Sequence, residues 1–449
     1  MGGQWTMDGF VSRDPRSGAI FAERPCWQAA EADHALANAD TAARRWAALP
    51  MVQRSKALYR LADALEMAQP TLAQSCRREM GKLASEAEDE IQRSAKWCRF
   101  LAERAPTWLA DEHNLTGRIQ RRPLGVVMAV TPWNYPVWQI CRPLAAALAA
   151  GNSVVIKPAN NVAQTSALME SICRDTLPAG LVQCLWLDEL GTRRTLAQPG
   201  VAMLVCTGSE ITGRQLGSLA GHHLKPAVLE LGGNNAFVVL DDADIEAAAL
   251  AAAESRCLNA GQACTAAKRF IVLRQVADRF IEALIAAMAH YRCGDTLAPL
   301  ARADLRSRLA LQVDRSLEAG ARCLIGGQPA GGRGDFYPAT VLQDVRPGMP
   351  AFDEELFGPV AAISIAADED EALWLANAVR QHLAASIWSG DSERASKLAG
   401  QLRAGMICFN RRPGSRFELP FAGSGASGYG STLGRDGLLA FTQPVGWLE

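Results

Sequence analysis

The sequence lacks an excess of charge of either sign and any long apolar run. Its 449 residues include 46 Lys plus Arg and 47 Asp plus Glu, which give a net charge of -1. A chain without an overall positive field has no general attraction to nucleic acid or to an anionic membrane, so we expect neither as a partner. The longest apolar run near the middle, residues 143–150, is too short to cross a bilayer, and we expect a buried helix there.

Closely spaced metal-binding motifs are also missing. The 12 cysteines are scattered, and none of the six histidines forms a short ligand motif with a cysteine or another histidine. This spacing argues against a disulfide scaffold or a zinc site, so we expect reduced thiols and no bound metal. Residues 1–8 contain no basic segment followed by an apolar one, which argues against a secretory signal. We therefore expect a protein of the cytoplasm.

Alternating strand and helix patterns organise the chain. In residues 27–109 apolar side chains recur every three or four positions, which predicts a helical region. Short β-rich runs then alternate with helical stretches from residues 125–130 onward, and a second alternating set begins at residues 236–240. This alternation predicts mostly parallel, doubly wound sheets, and the length of the chain predicts more than one domain. The fold class is therefore α/β.

The usual dinucleotide fingerprint is absent, because no Gly-x-Gly-x-x-Gly follows a predicted strand. Instead, Thr207-Gly-Ser209 follows the strand that ends at Cys206 and opens a predicted helix. Such a helix N-terminus can hold a pyrophosphate, although a Gly-Ser pair is usually only a turn and a cap. Lys157 follows another predicted strand, where its ammonium can reach a ribose or a phosphate. Both positions fall beyond the carboxyl ends of strands, where such sheets bind ligands.

Three residues carry candidate chemistry. Cys264 lies in a stretch of small and polar residues, 259–265, downstream of Glu230. A thiol and a carboxylate that a fold brings together provide a nucleophile and a base, although most free cysteines are inert and most glutamates simply pair with a cation. Asn134, in Pro132-Trp-Asn-Tyr-Pro136, offers an oxyanion donor but also fits a rigid turn.

Six motifs in a fixed order place these residues in a family. They are Trp133-Asn-Tyr-Pro136, Lys157-Pro-Ala159, Gly208-Ser209, Glu230-Leu-Gly-Gly233, Gly261-Gln-Ala-Cys264 and Glu355-Leu-Phe-Gly-Pro359. The series resembles the aldehyde dehydrogenase superfamily. Over residues 11–442 the chain is most similar to the shorter bacterial branch of NAD(P)-dependent succinate-semialdehyde dehydrogenases. The resemblance implies that Cys264 is the nucleophile, Glu230 the base that activates water and Asn134 an oxyanion donor.

The resemblance also implies a site for NAD or NADP. The implied contacts are Thr131, Pro132, Trp133, Lys157, Asn160, Gly208, Ser209, Leu231, Glu355 and Phe357. Members that prefer NAD often carry a glutamate where Asn160 stands, and its carboxylate repels the added phosphate of NADP. Asn160 imposes no such charge penalty, so the sequence leaves the choice of coenzyme open.

The substrate-binding residues implied by the resemblance are Arg142 and Trp138, on the helix that lines the substrate tunnel. Succinate-semialdehyde dehydrogenases have an arginine at the place of Arg142, and a guanidinium pairs well with a distal carboxylate. An interdomain salt bridge is an equally weighted interpretation of Arg142. A second carboxylate-binding arginine of some of those enzymes would fall at Leu258 and is missing here. The segment that normally closes the tunnel mouth carries Arg411, Arg412 and Arg416. These arginines either supply the charge that the missing arginine would provide or are merely solvated.

By resemblance the fold is aldehyde dehydrogenase-like, with a Rossmann-type cofactor domain, a second α/β catalytic domain and a small bridging arm. We place the cofactor domain at residues 10–112 and 124–232, the catalytic domain at 233–425, and the oligomerisation arm at 113–123 and 426–449. The arm implies a homodimer or a homotetramer. The C-terminal motif departs from the family pattern, with Gly425 for the usual lysine and Gly430-Ser-Thr432 for the usual Gly-Arg-Glu.

The favoured function is oxidation of a small carboxylated aldehyde, such as succinate semialdehyde, to its acid through a cysteine thiohemiacetal and a thioester. The alternatives are a noncatalytic member of the same fold and an aldehyde dehydrogenase for uncharged aldehydes. A cysteine hydrolase without nucleotide would need a histidine partner, and no histidine occupies a recognisable motif. Glu230 favours hydrolysis of the thioester, because by the resemblance members that transfer the acyl group to coenzyme A lack this glutamate.

Overall fold

The computed structural model describes residues 9–448. Residues 1–8, considered above for a secretory signal, and Glu449, the last residue of the predicted arm, lie outside the described residues. Within 9–448, strands and helices alternate around two large sheets, so the predicted α/β class is confirmed.

The helices and strands are numbered in chain order. The α-helices are α1 (Ala29–Ala47), α2 (Met51–Met67), α3 (Gln69–Met80), α4 (Ala84–Trp108), α5 (Pro136–Ala150), α6 (Ala163–Thr176), α7 (Glu189–Ala197), α8 (Glu210–His222), α9 (Ile245–Cys257), α10 (Ala277–Met288), α11 (Ala303–Glu318), α12 (Pro350–Asp353), α13 (Glu369–Asn377), α14 (Ser392–Ala399) and α15 (Gly434–Leu439). The strands are β1 (Gly9–Arg13), β2 (Ile20–Pro25), β3 (Glu112–Asn114), β4 (Gly117–Pro123), β5 (Val126–Val130), β6 (Ser153–Lys157), β7 (Val182–Cys184), β8 (Val201–Thr207), β9 (Ala227–Glu230), β10 (Asn235–Val239), β11 (Ala267–Leu273), β12 (Arg322–Ile325), β13 (Thr340–Gln343), β14 (Val360–Ala366), β15 (Gln381–His382), β16 (Ala384–Trp388), β17 (Met406–Phe409), β18 (Ser424–Gly425), β19 (Gly428–Tyr429) and β20 (Thr442–Leu448).

The first large sheet has the strand order β19-β9-β8-β5-β6-β7. Every neighbouring pair from β9 to β7 is parallel, and only the short edge strand β19 runs antiparallel to β9. β5 and β6 are buried at every position, as expected for parallel strands that are covered on both faces. Because the parallel strands share one direction, the segments that follow β5, β8 and β9 meet at the same edge.

The second large sheet has the order β12-β13-β14-β11-β10-β16-β17. Its pairs are parallel except for the edge pair β12–β13. A separate apolar cluster packs around this sheet, centred on residues such as Phe237 and Phe270. The prediction of two alternating strand and helix sets is therefore confirmed.

Three smaller sheets complete the fold. β20, β4 and β3 form an antiparallel sheet in that order, β1 pairs with β2, and β15 pairs with β18. The predicted helical region 27–109 corresponds to α1 to α4. The apolar run 143–150 belongs to α5, in which every residue is buried, so the predicted buried helix is confirmed.

Candidate active site

One cavity brings the predicted catalytic residues together. Cys264, Glu230 and Asn134 all line it. The cavity is also lined by these predicted cofactor residues: Pro132, Trp133, Gly208, Ser209, Leu231, Glu355 and Phe357. The other predicted site residues, Thr131, Lys157, Asn160, Arg142 and Trp138, are not among the residues that line it.

The loop before Cys264 holds an uncommon backbone conformation. Asn259, Ala260 and Gly261 have φ values of 53°, 52° and 72°, in the left-handed region. This region is unfavourable for alanine, so surrounding contacts must fix the loop. The Arg256 guanidinium donates to the Gly261 carbonyl at 2.6 Å, and the Gln262 side chain donates to the Asn259 carbonyl at 3.1 Å. A Cβ at Gly261 would lie 2.3 Å from the carbonyl oxygen of residue 358, so only glycine fits there.

The backbone carbonyl of Cys264 is held by two buried donors. Asn235 Nδ2 donates to it at 2.7 Å, and Lys268 Nζ donates to it at 3.0 Å. Lys268 also forms an ion pair with Glu355, with Nζ 3.0 Å from Oε1. Burial raises the pKa of the Cys264 thiol, whereas the charges of Arg142 and Lys268 lower it. Burial is the larger effect, so the pKa is raised overall, and the two cations limit that rise.

Glu230 ends β9 and its carboxylate is buried against Arg142. Arg142 Nη1 lies 2.6 Å from Glu230 Oε2, and the two side chains are 4% and 3% exposed. The hydroxyl of Thr432 donates to Glu230 Oε1. Burial raises the pKa of Glu230, and the contacts with Arg142 and Thr432 oppose that rise.

Arg142 has two further partners, one at the end of β8 and one on α5. Its Nη2 donates to the Thr207 hydroxyl at 2.9 Å and to the Gln139 side chain at 3.1 Å. The salt-bridge interpretation of Arg142 therefore describes the observed geometry, but the bridge joins helix α5 to strand β9 of the first large sheet. It does not join the two predicted domains, because both residues belong to the segment 124–232. The role of Arg142 as a clamp for a substrate carboxylate stays a prediction.

Asn134 follows β5 and is tied to the cysteine loop. Its Nδ2 donates to the Gln262 carbonyl at 3.0 Å, and its own carbonyl accepts a hydrogen bond from Asn259 Nδ2 at 2.9 Å. One N–H of the side-chain amide is thus engaged, and the amide has a second. These contacts fix the distance between the predicted oxyanion donor and the loop that carries Cys264.

The predicted phosphate-binding turn has the expected form. Ser209 is the N-cap of α8, and its hydroxyl accepts a hydrogen bond from the Thr212 N–H at 3.2 Å. The cap satisfies only one of the free N–H groups of the first turn, so the helix N-terminus retains donors for an anion. Gly208 precedes the cap and lines the same cavity.

At the other end of the predicted cofactor site, Glu355 and Phe357 face the cavity. Glu355 Oε1 accepts a hydrogen bond from the Gly233 N–H at 3.1 Å, and a Cβ at Gly232 would lie 2.2 Å from Oε2. The Phe357 ring stands edge-on to Trp133, with centroids 5.6 Å apart. This end of the cavity therefore combines a carboxylate with aromatic surface.

Lys157 and Asn160 lie together beyond β6. Lys157 Nζ donates to Asn160 Oδ1 at 2.7 Å, and Asn160 Nδ2 donates to the Gly9 carbonyl at 3.2 Å. Burial lowers the pKa of Lys157 to about 8. Thr131 is also buried, and its N–H donates to the Lys157 carbonyl at 3.0 Å.

The sequence motifs assigned no individual role to several residues that build this site, although Thr207 and Gln262 lie within those motifs. They are Gln139, Thr207, Gln262, Lys268, Arg308 and Gln312. The sequence contains a signal for Lys268, because it is the second residue of a mostly apolar strand, β11, and the structure buries it to 1% exposure. A charged residue at such a position needs a partner, which here is Glu355. Arg308 and Gln312, one turn apart on α11, reach the cavity only through the fold.

The described chain has neither a metal-binding group nor a membrane-spanning helix. No group of three or more His, Cys, Asp and Glu side chains within 9–448 is arranged to hold a metal ion. Across the same residues, no helix has both the length and the apolar character that membrane spanning requires.

The fold and cavity define a class of protein in which a cysteine and a buried glutamate face one cavity in a two-sheet α/β fold. The profile of the Aldehyde dehydrogenase family matches residues 5–445. An NAD(P)+ succinate semialdehyde dehydrogenase of Escherichia coli, Sad, is 38% identical over 442 residues, covering 96% of each chain. An NADP(+) succinate-semialdehyde dehydrogenase of Mycobacterium ulcerans is 38% identical over 403 residues, covering 87% of this chain and 88% of the relative.

Solved structures agree with this similarity. The crystal structure of succinic semialdehyde dehydrogenase from Streptococcus pyogenes in complex with NADP+ matches with a TM-score of 0.94 and 29% identity. The match covers 98% of this chain and 100% of that chain. This chain belongs to the aldehyde dehydrogenase family. The family resemblance, the aldehyde dehydrogenase-like fold and the prediction of an enzyme are thereby confirmed.

Proposed function

We propose that this chain oxidises succinate semialdehyde, or a small aldehyde with a similarly placed carboxylate, to the acid with NAD or NADP. The observation that carries the proposal is the shared cavity, where Cys264, Glu230 and Asn134 stand beside the predicted cofactor residues. The substrate class is supported by relatives that are named for succinate semialdehyde and match over nearly the whole chain. The Escherichia coli relative is named for NAD(P)+, and the Streptococcus pyogenes structure is a complex with NADP+.

The first step is attack of the Cys264 thiolate on the aldehyde carbon, which forms a thiohemiacetal. Arg142 and Lys268 favour the thiolate against the opposing effect of burial on its pKa. The new oxyanion is stabilised by the free N–H of the Asn134 amide and by the backbone N–H of Cys264. The hydrogen bonds of Asn134 with Gln262 and Asn259 hold this donor at the cysteine loop.

The residues present fit a nicotinamide dinucleotide. The N-terminus of α8, capped by Ser209, offers amides to a pyrophosphate, and Glu355 offers a carboxylate to ribose hydroxyls. The edge-on pair of Trp133 and Phe357 supplies apolar surface for a ring. When bound, the nicotinamide ring accepts a hydride from the substrate carbon, and a thioester on Cys264 remains.

Glu230 takes the proton of the water that hydrolyses the thioester. Its carboxylate lines the cavity, and Oε2 lies 2.6 Å from Arg142 Nη1, a contact that occupies only one of the lone pairs of that oxygen. This oxygen therefore retains a lone pair for a water molecule. In this reaction Arg142 acts as a positioning residue for Glu230, and Trp138 remains a predicted wall of the substrate tunnel.

A substrate profile with each coenzyme tests the proposal. We expect the highest kcat/KM for succinate semialdehyde, a lower value for glutarate semialdehyde, and much lower values for butanal and benzaldehyde, measured by the absorbance of the reduced coenzyme. Equal kcat/KM for butanal and succinate semialdehyde would favour the alternative of an enzyme for uncharged aldehydes. Coenzyme binding without turnover of any aldehyde would favour a noncatalytic protein.

Self-association is a further part of the proposal. The antiparallel sheet of β3, β4 and β20 exposes Leu115, Trp447 and Leu448, with relative exposures of 105%, 40% and 94%. Apolar side chains at the edges of a small sheet favour a protein contact. We therefore propose the domain boundaries given above, with this sheet as the arm of a homodimer or homotetramer. Light scattering of Leu448→Glu tests it, with Leu250→Glu on α9 as the matched control for an exposed leucine.

The cytoplasm is the proposed location. Cys293 and Cys323 are exposed and form no disulfide. Exposed thiols without disulfide partners are typical of a reducing compartment. Fractionation of the cells that make the protein tests this location.

A further inference from the structure

An arginine cluster surrounds the predicted tunnel residue Trp138. The guanidinium carbon of Arg93, on α4, lies 4.6 Å from the centroid of the Trp138 ring and 5.7 Å from that of Phe417. Arg93 Nη2 donates to the Ser415 hydroxyl at 2.7 Å and to its carbonyl at 3.2 Å. Arg93 therefore fastens α4 to the segment after β17, which also carries Arg412 and Arg416.

Three other arginines influence the charge of Arg93. Burial lowers the pKa of Arg93, and the nearby charges of Arg142, Arg412 and Arg416 lower it further. A partly buried guanidinium with other positive charges near it is unfavourable unless anions compensate them. Uncompensated positive charge beside Trp138 destabilises the fold, and a bound anion would remove this unfavourable energy.

The described acidic residues compensate only part of this charge. Glu230 neutralises Arg142, and Arg412 Nε lies 2.9 Å from Glu254 Oε1 in a partly exposed ion pair. Within 9–448, Arg416 forms no ion pair, and the buried Nε of Arg93 has no acceptor. The exposed Glu418 is on the same segment, but no ion pair joins it to Arg93 or Arg416.

The cluster and Cys264 share neighbours. The Arg93 guanidinium lies over Trp138, which is four positions after Asn134, and the side chain of Asn134 donates to the Gln262 carbonyl in the cysteine loop at 3.0 Å. None of Arg93, Arg412 and Arg416 lines the cavity of the predicted cofactor residues. The cluster therefore lies near the reacting thiol but apart from the predicted coenzyme contacts.

We propose that Arg93, Arg412 and Arg416 form an anion subsite that receives the distal carboxylate of the aldehyde substrate. The proposal rests on the proposed function, and it assigns the carboxylate to residues other than Arg142, which is already paired with Glu230. The faces of Trp138 and Phe417 would exclude water beside the carboxylate and strengthen the pairing. An aldehyde with its carboxylate here would present its other end to Cys264.

The test compares Arg416→Gln with Arg346→Gln, which removes the same charge from another exposed arginine. We expect the ratio of kcat/KM for succinate semialdehyde to that for butanal to fall about tenfold in Arg416→Gln, which is the usual effect of one hydrogen bond to a charged group. Arg416→Lys should recover part of the ratio, and Arg346→Gln should leave it unchanged. An unchanged ratio in Arg416→Gln would overturn the subsite.

Arg93→Gln gives a second measurement, because it also removes the contact with Ser415. We expect the inhibition constant of succinate, the product, to rise at least tenfold in Arg93→Gln, while that of butyrate changes little. Equal changes for succinate and butyrate would show a structural effect only and would contradict the subsite.

The two proposals fail in different ways. If the wild-type chain does not prefer succinate semialdehyde to butanal, the proposed substrate class is wrong. If it does prefer it and neither arginine variant alters the preference, the substrate class stands and the anion subsite is wrong.

Discussion

The guanidinium of Arg142 lies 2.6 Å from the carboxylate of Glu230, and both side chains are almost fully buried. The same cation lowers the pKa of the Cys264 thiol, against the larger effect of burial. One arginine therefore acts on both the predicted nucleophile and the predicted base. Its removal would alter both reacting groups as well as the packing around them.

Removal of Arg142 should destabilise the fold. In Arg142→Met the buried Glu230 loses its cation, and breaking one side of such a pair costs about 3–5 kcal/mol. Urea unfolding measures the change in the free energy of unfolding. The double variant Arg142→Met with Glu230→Gln should recover most of the loss, because no unpaired charge remains. If the double variant is as unstable as the single one, packing rather than charge explains the effect.

The Thr432 hydroxyl should set the pH dependence of thioester hydrolysis. Burial raises the pKa of Glu230, and the hydrogen bond from Thr432 opposes that rise, so Thr432→Val should raise the pKa further. Glu230 acts as a base only when it is deprotonated, so activity is lost as the pH falls through this pKa. The acid limb of the kcat profile should therefore move to higher pH. Ser431→Ala is the neighbouring control and should leave the limb in place.

Glu230→Gln should separate the two half-reactions. The amide cannot accept a proton from water, so the thioester should form once and then persist. Rapid mixing should show a burst of reduced coenzyme of about one equivalent per site, followed by turnover at least about a hundredfold slower than in the wild-type chain. Glu418→Gln, at an exposed glutamate, is the control. A linear time course without a burst would contradict the role of Glu230.

Cys264→Ala should abolish aldehyde oxidation and leave coenzyme affinity nearly unchanged, because the thiol is required only for the covalent step. Fluorescence titration measures the affinity, and coenzyme reduction measures the oxidation. The matched control is Cys323→Ala, at an exposed cysteine, which should retain activity. A large loss of coenzyme binding in Cys264→Ala would count against the assigned role.

Asn160→Glu should shift the coenzyme preference toward NAD. A carboxylate beside Lys157 would repel the added phosphate of NADP and accept hydrogen bonds from ribose hydroxyls. We expect the ratio of kcat/KM for NAD to that for NADP to rise at least about tenfold. Asn160→Gln changes size without charge and should have a smaller effect. An unchanged ratio would place the ribose away from this pair.

The sequence predicted the parts of the fold that depend on local pattern. The helical periodicity of residues 27–109 and the apolar run in α5 are properties of neighbouring positions, and the structure has helices at both. The Gly-Ser turn before α8 was predicted for the same reason, because a cap acts within its own turn. The order of the motifs around Cys264 also indicates the family without any three-dimensional information.

The partners of single charged side chains could not be predicted in this way. Arg142 was weighed equally as a substrate clamp and as an interdomain bridge, and its observed partner, Glu230, lies on a strand far away in sequence. The partner of Lys268 is Glu355, which reaches it from the segment between α12 and β14. Such choices depend on how the segments pack, and no local pattern encodes them.

By itself the amino-acid sequence determined the α/β class, the order of the motifs and the identity of Cys264, Glu230 and Asn134 as candidates. The class follows from the spacing of apolar residues along the chain, whereas the three candidates follow from side-chain chemistry together with the resemblance to the family. Only the tertiary structure decided that these three face a single cavity, that Arg142 is buried against Glu230, and that Arg93 lies over Trp138. The physical reason is that burial and charge pairing join residues from separate elements, and both arise only when those elements are packed together.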